Sequence, residues 1–408
     1  MKLLSARTFN GSAVWIVLMV GLALPVPFSG IPVLPERGAA IAYLLVAGAV
    51  VLYTWIGRRA SWPVATLLLY SLGRVLLMGV PFRSLQLLLL LTLAGVLYVD
   101  AVGLTLRAAR RVAWALVLAA GIQGVLGILN LAKLHPSPYV LGWPLAWLGV
   151  PILEGQATLI REFLGHPMGW LTHPNFWGAY MALALPIIYA LLGRWAALVA
   201  LALTASTGNI GPIVSASAGL AVMAWRDLSP RLRPALVLAC LTVSIIVSAH
   251  HLDRNHSHGD TTLSTVTTGR TSVWAAAWPL ARAHWLIGNG LGSWRPWAEQ
   301  YNTEKKTPGW ATLQAHNEPY QLSFELGLVG MALAAWWLWH LGLGARALFW
   351  YTEPVHGVAI VDTIEWAWVG VVVVALVNAL GSPTFHMPQQ AGVALFAAAR
   401  LEAARRSP

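Results

Sequence analysis

Charge and cysteine are what the chain has least of. Asp, Glu, Lys and Arg make up 10% of its 408 residues, against about a quarter in a soluble domain. That shortage excludes an ordinary water-soluble globule, and no acidic or basic run is long enough for a disordered arm. The single cysteine, Cys240, sits inside an apolar run. An intramolecular disulfide is thereby excluded, and any long loop must be ordered by other means. Cys/His spacings typical of zinc sites are missing too. Acidic residues number 15 against 26 basic ones, leaving a net charge of +11. These cations are scattered between apolar runs, which argues against nucleic acid as a partner and suits loops facing an anionic membrane leaflet. No internal repeat and no separate soluble domain can be found.

What the chain does have is apolar sequence, 58% of it. Apolar segments recur at roughly 12–29, 39–57, 62–80, 85–103, 112–131, 174–192, 195–207, 210–225, 234–250, 320–341, 358–380 and 388–400. They predict an all-α polytopic membrane protein of about twelve transmembrane helices, a single transmembrane domain over residues 1–408. The shorter segments must be tilted, broken or locally thin. Lys2 and Arg7 ahead of an apolar run from Ala13 outline a cleaved signal peptide. However, Pro25 and Pro27 follow directly, and the charge pattern holds with the segment kept as a span.

With the N-terminus inside, the inner loops carry Arg58, Arg59, Arg107, Arg110, Arg111, Arg194, Arg226, Arg231, Arg233, Arg346, Arg400, Arg405 and Arg406. The short outer loops hold only Arg37 and Arg83. The alternation places both termini in the cytoplasm. Two long loops, 132–173 and 251–319, then lie outside. They keep Lys133, Arg161, Arg254, Arg270, Arg282, Arg295, Lys305 and Lys306. Long loops are exempt from the positive-inside bias, so an anionic ligand is one reason to retain these cations.

The first long loop contains Trp143, Pro144 and Trp147, then Gly-His-Pro (165–167) and Thr-His-Pro-Asn-Phe-Trp-Gly (172–178). Thr172 and Asn175 read equally well as caps of the helix that follows. In the second loop Gly269 precedes Arg270, and Trp274 and Trp278 follow at four-residue steps. On a helix these side chains share one face. Such a helix lies at the membrane surface with its rings at headgroup level, where Arg270 grips a phosphate or simply snorkels.

Gly288-Asn289-Gly290-Leu291-Gly292 allows positive φ and close backbone approach. Its N–H groups can cradle an anion, or the chain merely turns there. His316 stands just before a helix that Asn317 can cap and whose first turn suits Pro319. The positive end of that helix disfavours an imidazolium and attracts a phosphate, so a base and an anion site fall side by side. The alternative is a surface histidine bonded to a loop. Glu325, two turns on and inside the membrane, bonds His316 or a loop Arg, or packs as a neutral residue. The cluster His250, His251, Asp253, His256, His258 and Asp260 could bind zinc or nickel, but the segment lacks matched ligands. Metal and cofactor are therefore both expected to be none. The outer loops also lack an Asp-x-Asp pair for a divalent ion, a role that Arg and Lys would take over.

At these residues the sequence resembles the O-antigen ligase and polymerase family of bacterial membrane glycosyltransferases. The likeness rests on Gly-Arg-x-x-x-Trp (269–274), the Gly-Asn-Gly-Leu-Gly turn, and His316-Asn317 with Glu325, Gly327 and Gly330 behind them. His-Pro-Asn-Phe-Trp-Gly (173–178) is a weaker match, and the span layout fits the rest of the chain. The resemblance implies a GT-C-like fold in the bacterial inner membrane, periplasmic loops at 132–173 and 251–319, and a glycan donor on undecaprenyl pyrophosphate. It carries the catalytic roles onto Arg270 and His316. The family's usual Ser-Arg-Gly motif is absent, because the segment reads Ala-Ser-Thr-Gly-Asn-Ile-Gly-Pro (205–212).

The combined reading is an inverting, metal-independent transfer at the periplasmic face by a monomer. Arg270 neutralises the leaving pyrophosphate and His316 takes the acceptor's proton. Arg161, Arg282, Arg295, Asn317, Glu325, His173, Asn175 and Trp274 are expected to bind substrate. Trp278, Trp294 and Trp310 are further candidate sugar platforms. Lipid A-core as acceptor makes a ligase, a second lipid-linked glycan a polymerase, and a Ser or Thr a protein O-oligosaccharyltransferase. A lipid or solute transporter is the rival from another class, though such proteins usually show internal repeats.

Overall fold

A computed structural model of the chain describes residues 62–77, 82–132, 174–229, 270–305, 314–350, 363–385 and 388–406, with isolated positions at 16, 19, 231–233, 235 and 242. The described residues form helices and no strand. In chain order these are α1 (Trp62–Leu77), α2 (Phe82–Val102), α3 (Leu106–Leu131), α4 (Pro174–Leu192), α5 (Arg194–Ala205) and α6 (Ile210–Asp227). Then follow α7 (Arg270–Ala283), α8 (Trp294–Lys305), α9 (Glu318–Trp350), α10 (Thr363–Ala379) and α11 (Pro388–Arg406). Three of them, α3, α4 and α9 as far as Phe349, are long and apolar enough to cross a membrane. α5, α6 and α10 are apolar but shorter.

The expected segments 12–29, 39–57 and 234–250 fall outside the described residues apart from isolated positions, while each of the others falls on a helix. The segment expected at 388–400 runs on to Arg406 because its charges satisfy one another. Buried Glu402 accepts from Arg405 at 2.8 Å and from Arg406 at 2.9 Å, one turn on, a spacing at which helix side chains meet.

The core lies among α3, α4, α6, α10 and α11. Small residues let these helices approach closely, as is common where lipid offers no hydrophobic drive between helices. Gly127 of α3 takes the Trp177 ring, whose Nε1 donates to the Gln123 carbonyl at 2.9 Å. Gly219 of α6 and Gly370 of α10 meet around Pro186 of α4. Gly344 of α9 lies against the Leu401 backbone of α11.

The bundle has two chemically different ends. At one, buried Arg400 pairs with Glu365 at 3.0 Å and donates to the Leu104 carbonyl at 2.8 Å. This contact draws together the C-terminus of α11, the N-terminus of α10 and the α2–α3 turn. Exposed Arg107, Arg110 and Arg111 follow that turn directly. Trp366 Nε1 donates to the Val222 carbonyl at 3.0 Å, bringing the C-terminus of α6 to the same end. At the other end lie the C-terminus of α10 and the N-termini of α4, α6, α9 and α11. Gln390 of α11 donates to the Phe176 carbonyl of α4 at 3.3 Å, and Gly211 of α6 faces the Asn378 amide of α10.

Candidate functional site

The second end carries the polar chemistry. The turn after α10 exposes carbonyls that the helix itself cannot satisfy. Arg270 Nη1, from the first residue of α7, donates to the Gly381 carbonyl at 2.7 Å. Asn317 Nδ2 donates to the neighbouring Leu380 carbonyl at 3.0 Å. Glu318 Oε1 accepts from Phe385 N at 2.8 Å, and Asn378 Nδ2 donates to Thr384 Oγ1 at 2.8 Å. One short turn thus brings Arg270 and the His316–Asn317 dipeptide to adjacent residues. Burial pulls the Arg270 guanidinium below its ordinary pKa, because desolvation disfavours the cation.

His316 has φ +53°, and it is the non-glycine residue with positive φ among those described. A side chain in that region is strained. Its neighbours are held on both sides. Ala315 N donates to Gln321 Oε1 at 3.0 Å, and the Ala315 carbonyl accepts from Trp274 Nε1 at 2.8 Å. Asn317 Oδ1 accepts from Tyr320 N at 2.8 Å, which is the expected N-cap of α9. Trp274 stacks on Tyr320 with ring centroids 5.8 Å apart, and the Tyr320 hydroxyl donates back to the Trp274 carbonyl at 2.7 Å.

Beneath this lies an aromatic floor. Val273, Ala277 and Ala281 of α7 pack on Trp294, Ala298, Ala315 and Phe324. Trp294 is completely buried, against Phe324 and Tyr320. It is therefore a core residue and not the sugar platform expected of it. Trp278 is 57% exposed while Trp274 is half-buried, so the predicted common face of α7 divides into an inward and an outward part.

The glycine turn does something the sequence did not specify. Helix α9 breaks at Gly327 (φ 63°, ψ −163°), and the chain at 285–290 fills the break. Asn289 N and Gly290 N donate to the Phe324 and Glu325 carbonyls at 2.9 and 2.8 Å. Leu328 N and Val329 N donate to the Trp285 and Leu286 carbonyls at 2.9 and 3.1 Å. The Tyr70 hydroxyl of α1 reaches the Leu326 carbonyl at 3.0 Å, and buried Arg74 donates to the Gly288 carbonyl at 2.7 Å. Backbone groups freed by a break in an apolar helix must be satisfied inside the protein, and here they are. The N–H groups of Asn289 and Gly290 point into α9, so this part of the turn serves as a plug.

Glu325 is buried. Its Oε2 accepts from Gly292 N at 2.8 Å and its Oε1 from Gln321 Nε2 at 3.0 Å.

Three of the other expected binding residues, Arg295, Arg282 and Asn175, are among those described. Arg295 pairs with Glu299 at 3.0 Å on the exposed face of α8. Arg282 is exposed in the last turn of α7, about 18 Å along the helix from Arg270 at 1.5 Å per residue. Asn175 lies in the first turn of α4. Arg161, His173, Trp310 and the His250–His258 cluster are outside the described residues. Asn209 caps α6 without a side-chain hydrogen bond, at the position where the resemblance would have put an arginine. Sequence reasoning missed the 380–385 turn, Gln321 and Tyr320. The one available signal for the turn was Gly-Ser-Pro-Thr (381–384) between two apolar segments.

The described residues form a helical bundle, with three helices long and apolar enough to cross a membrane and a polar, arginine- and histidine-bearing site at one end. A family model described as O-antigen ligase matches residues 178–335, from α4 into α9, and the match supports membership of the O-antigen ligase and polymerase family. Arg270, the glycine turn and His316 all lie within the matched stretch. The family points to a membrane glycosyltransferase-type ligase acting on a lipid-linked glycan and an acceptor. No curated protein matches the chain.

Proposed function

We propose that the protein transfers a glycan from undecaprenyl pyrophosphate to an acceptor hydroxyl, taken as a sugar of lipid A-core, at the periplasmic face of the inner membrane. The topology is the twelve-span, GT-C-like arrangement with both termini cytoplasmic. The acceptor oxygen attacks the anomeric carbon from the side opposite the leaving group. A new C–O glycosidic bond forms, the bond from the anomeric carbon to the phosphate oxygen breaks, and configuration inverts. His316 takes the hydroxyl proton. Arg270 grips the departing pyrophosphate through its planar fork of N–H donors.

One observation carries this reading: Arg270 and the His316–Asn317 dipeptide converge on the adjacent carbonyls of Gly381 and Leu380. Residues 270 and 316, far apart in the chain, are thereby fixed at the N-terminus of α9, where the dipole favours an anion. The test uses purified protein, one lipid-linked donor and three acceptors: lipid A-core, lipid-linked glycan and a pilin-like protein. Transfer should go to lipid A-core and persist in EDTA. His316→Ala should lower the rate by about 10²–10⁴-fold, and Arg270→Ala by about 10²–10³-fold. Undiminished transfer by both variants would overturn the mechanism, and preference for another acceptor would reassign the ligase.

A further inference from the structure

We infer that Gln321 and Glu325 are positioning residues that hold His316 in its left-handed conformation, a role that rests on His316 being the base. The chain of contacts is continuous. Gly292 N donates to Glu325 Oε2 at 2.8 Å, Gln321 Nε2 donates to Glu325 Oε1 at 3.0 Å, and Ala315 N donates to Gln321 Oε1 at 3.0 Å. Both side chains are about 95% buried, at 5% and 4% exposure. Gln321 fixes the peptide entering Ala315, and Trp274 Nε1, 2.8 Å from the Ala315 carbonyl, fixes the peptide entering His316. Held together, the two peptides flanking Ala315 orient the bond about which His316 turns to φ +53°. A non-glycine residue persists there only when its surroundings over-determine it. The glutamine works as a capping-box side chain does, reaching back from the first turns of a helix to the N–H of a residue ahead of it. The glutamate fixes which way the glutamine amide points. With its two oxygens accepting, the Gln321 nitrogen must face Glu325 and its oxygen must face Ala315. Through Gly292 the same carboxylate ties His316 to the turn that plugs α9.

Polarity along this chain makes a stringent test possible. Glu325→Gln alone sets an amide nitrogen against the Gln321 nitrogen, and Gln321→Glu alone sets two carboxylates together. The double swap, Gln321→Glu with Glu325→Gln, restores an acceptor for Ala315 N, a donor–acceptor pair between the two side chains, and an acceptor for Gly292 N. With the purified full-length protein and lipid-linked donor, each single variant should lower kcat by at least about tenfold, since small misplacements of a reacting group are costly. The donor KM should move by less than about twofold. The double swap should return kcat to within about threefold of the original. In a His316→Ala background, Gln321→Glu should leave the residual rate unchanged, because the group it positions is gone.

Wild-type kcat in both single variants, or failure of the swap in protein that retains its original melting temperature, would overturn the inference while leaving His316 as base. So would an equal loss from Gln321→Glu with and without His316. Full activity of His316→Ala alone would instead remove the base reading and this role with it.

Discussion

At the scale of single residues, His316 pays for its place in conformational strain. A non-glycine residue in the left-handed region is disfavoured by about 1–2 kcal/mol, and glycine adopts it readily. His316→Gly should therefore raise thermal stability in detergent, by up to about 1 kcal/mol after glycine's entropic cost, while transfer disappears. A melting temperature that falls with the substitution would show that the imidazole contributes more to the fold than its backbone costs.

Arg270 gives a pH prediction. Its burial lowers the pKa from the ordinary value, yet an arginine so high to begin with stays charged across the working range. Lysine starts about two units lower, near 10.4, and the same burial would depress it further. The charge of a group with a depressed pKa is lost as pH rises through that value. Arg270→Lys should thus lose activity on the alkaline side well before the unmodified protein does, besides lacking the bidentate grip. Parallel pH–rate profiles for the two would sink this account.

The elements show what could and could not be read in advance. The start of α9 was legible because Asn-Glu-Pro before an apolar run is a local signal, and Asn317 Oδ1 indeed takes Tyr320 N. The break at Gly327, ten residues beyond Asn317, was not. Apolar residues continue on both sides of Gly327, so hydropathy alone draws one span. Only the fit of a distant glycine turn makes two half-helices of it. Three glycines in five residues said that the backbone must come close to something, without saying to what.

The structure supplies the partner. A Cβ on Gly288 would run into the Glu325 carbonyl and the Leu326 nitrogen, and one on Gly327 into the backbone of 286–288. Both glycines also have positive φ, 70° and 63°. Gly288→Ala and Gly327→Ala should each destabilise the protein by more than about 2 kcal/mol, the strain and the clash adding together. Gly73→Ala, where a Cβ meets nothing within 4 Å and the helix geometry is ordinary, should do no harm to the melt. If the three behave alike, the plugged break is not the close contact described.

On the scale of the whole molecule, the two ends of the bundle turn a charge rule into a prediction about sidedness. Several of the described arginines that the sequence assigned to inner loops are brought together from separate helices. Arg400 reaches Leu104 just ahead of Arg107, Arg110 and Arg111, and Gly344 of α9, close to Arg346, packs on Leu401 of α11. Arg270 and His316 lie at the end where α10 terminates instead. Hydropathy and positive charge together made this polarity legible, because burial in lipid and attraction to an anionic leaflet act on segments one at a time. The convergence on residues 380–385 was hidden, because it depends on which helix ends meet in space.

The sidedness can be measured through the protein's own scarcity of thiols. With Cys240→Ser as background, Ala283→Cys on exposed α7 and Arg111→Cys at the start of α3 each present one thiol. A membrane-impermeant maleimide added to spheroplasts should label the first at once and the second only after permeabilisation. The reverse pattern would place His316 in the cytoplasm, on the wrong side for a periplasmic transfer. Labelling of both thiols in intact spheroplasts would put the basic end outside as well, and the two-ended reading of the bundle would then fail whatever the catalytic assays show.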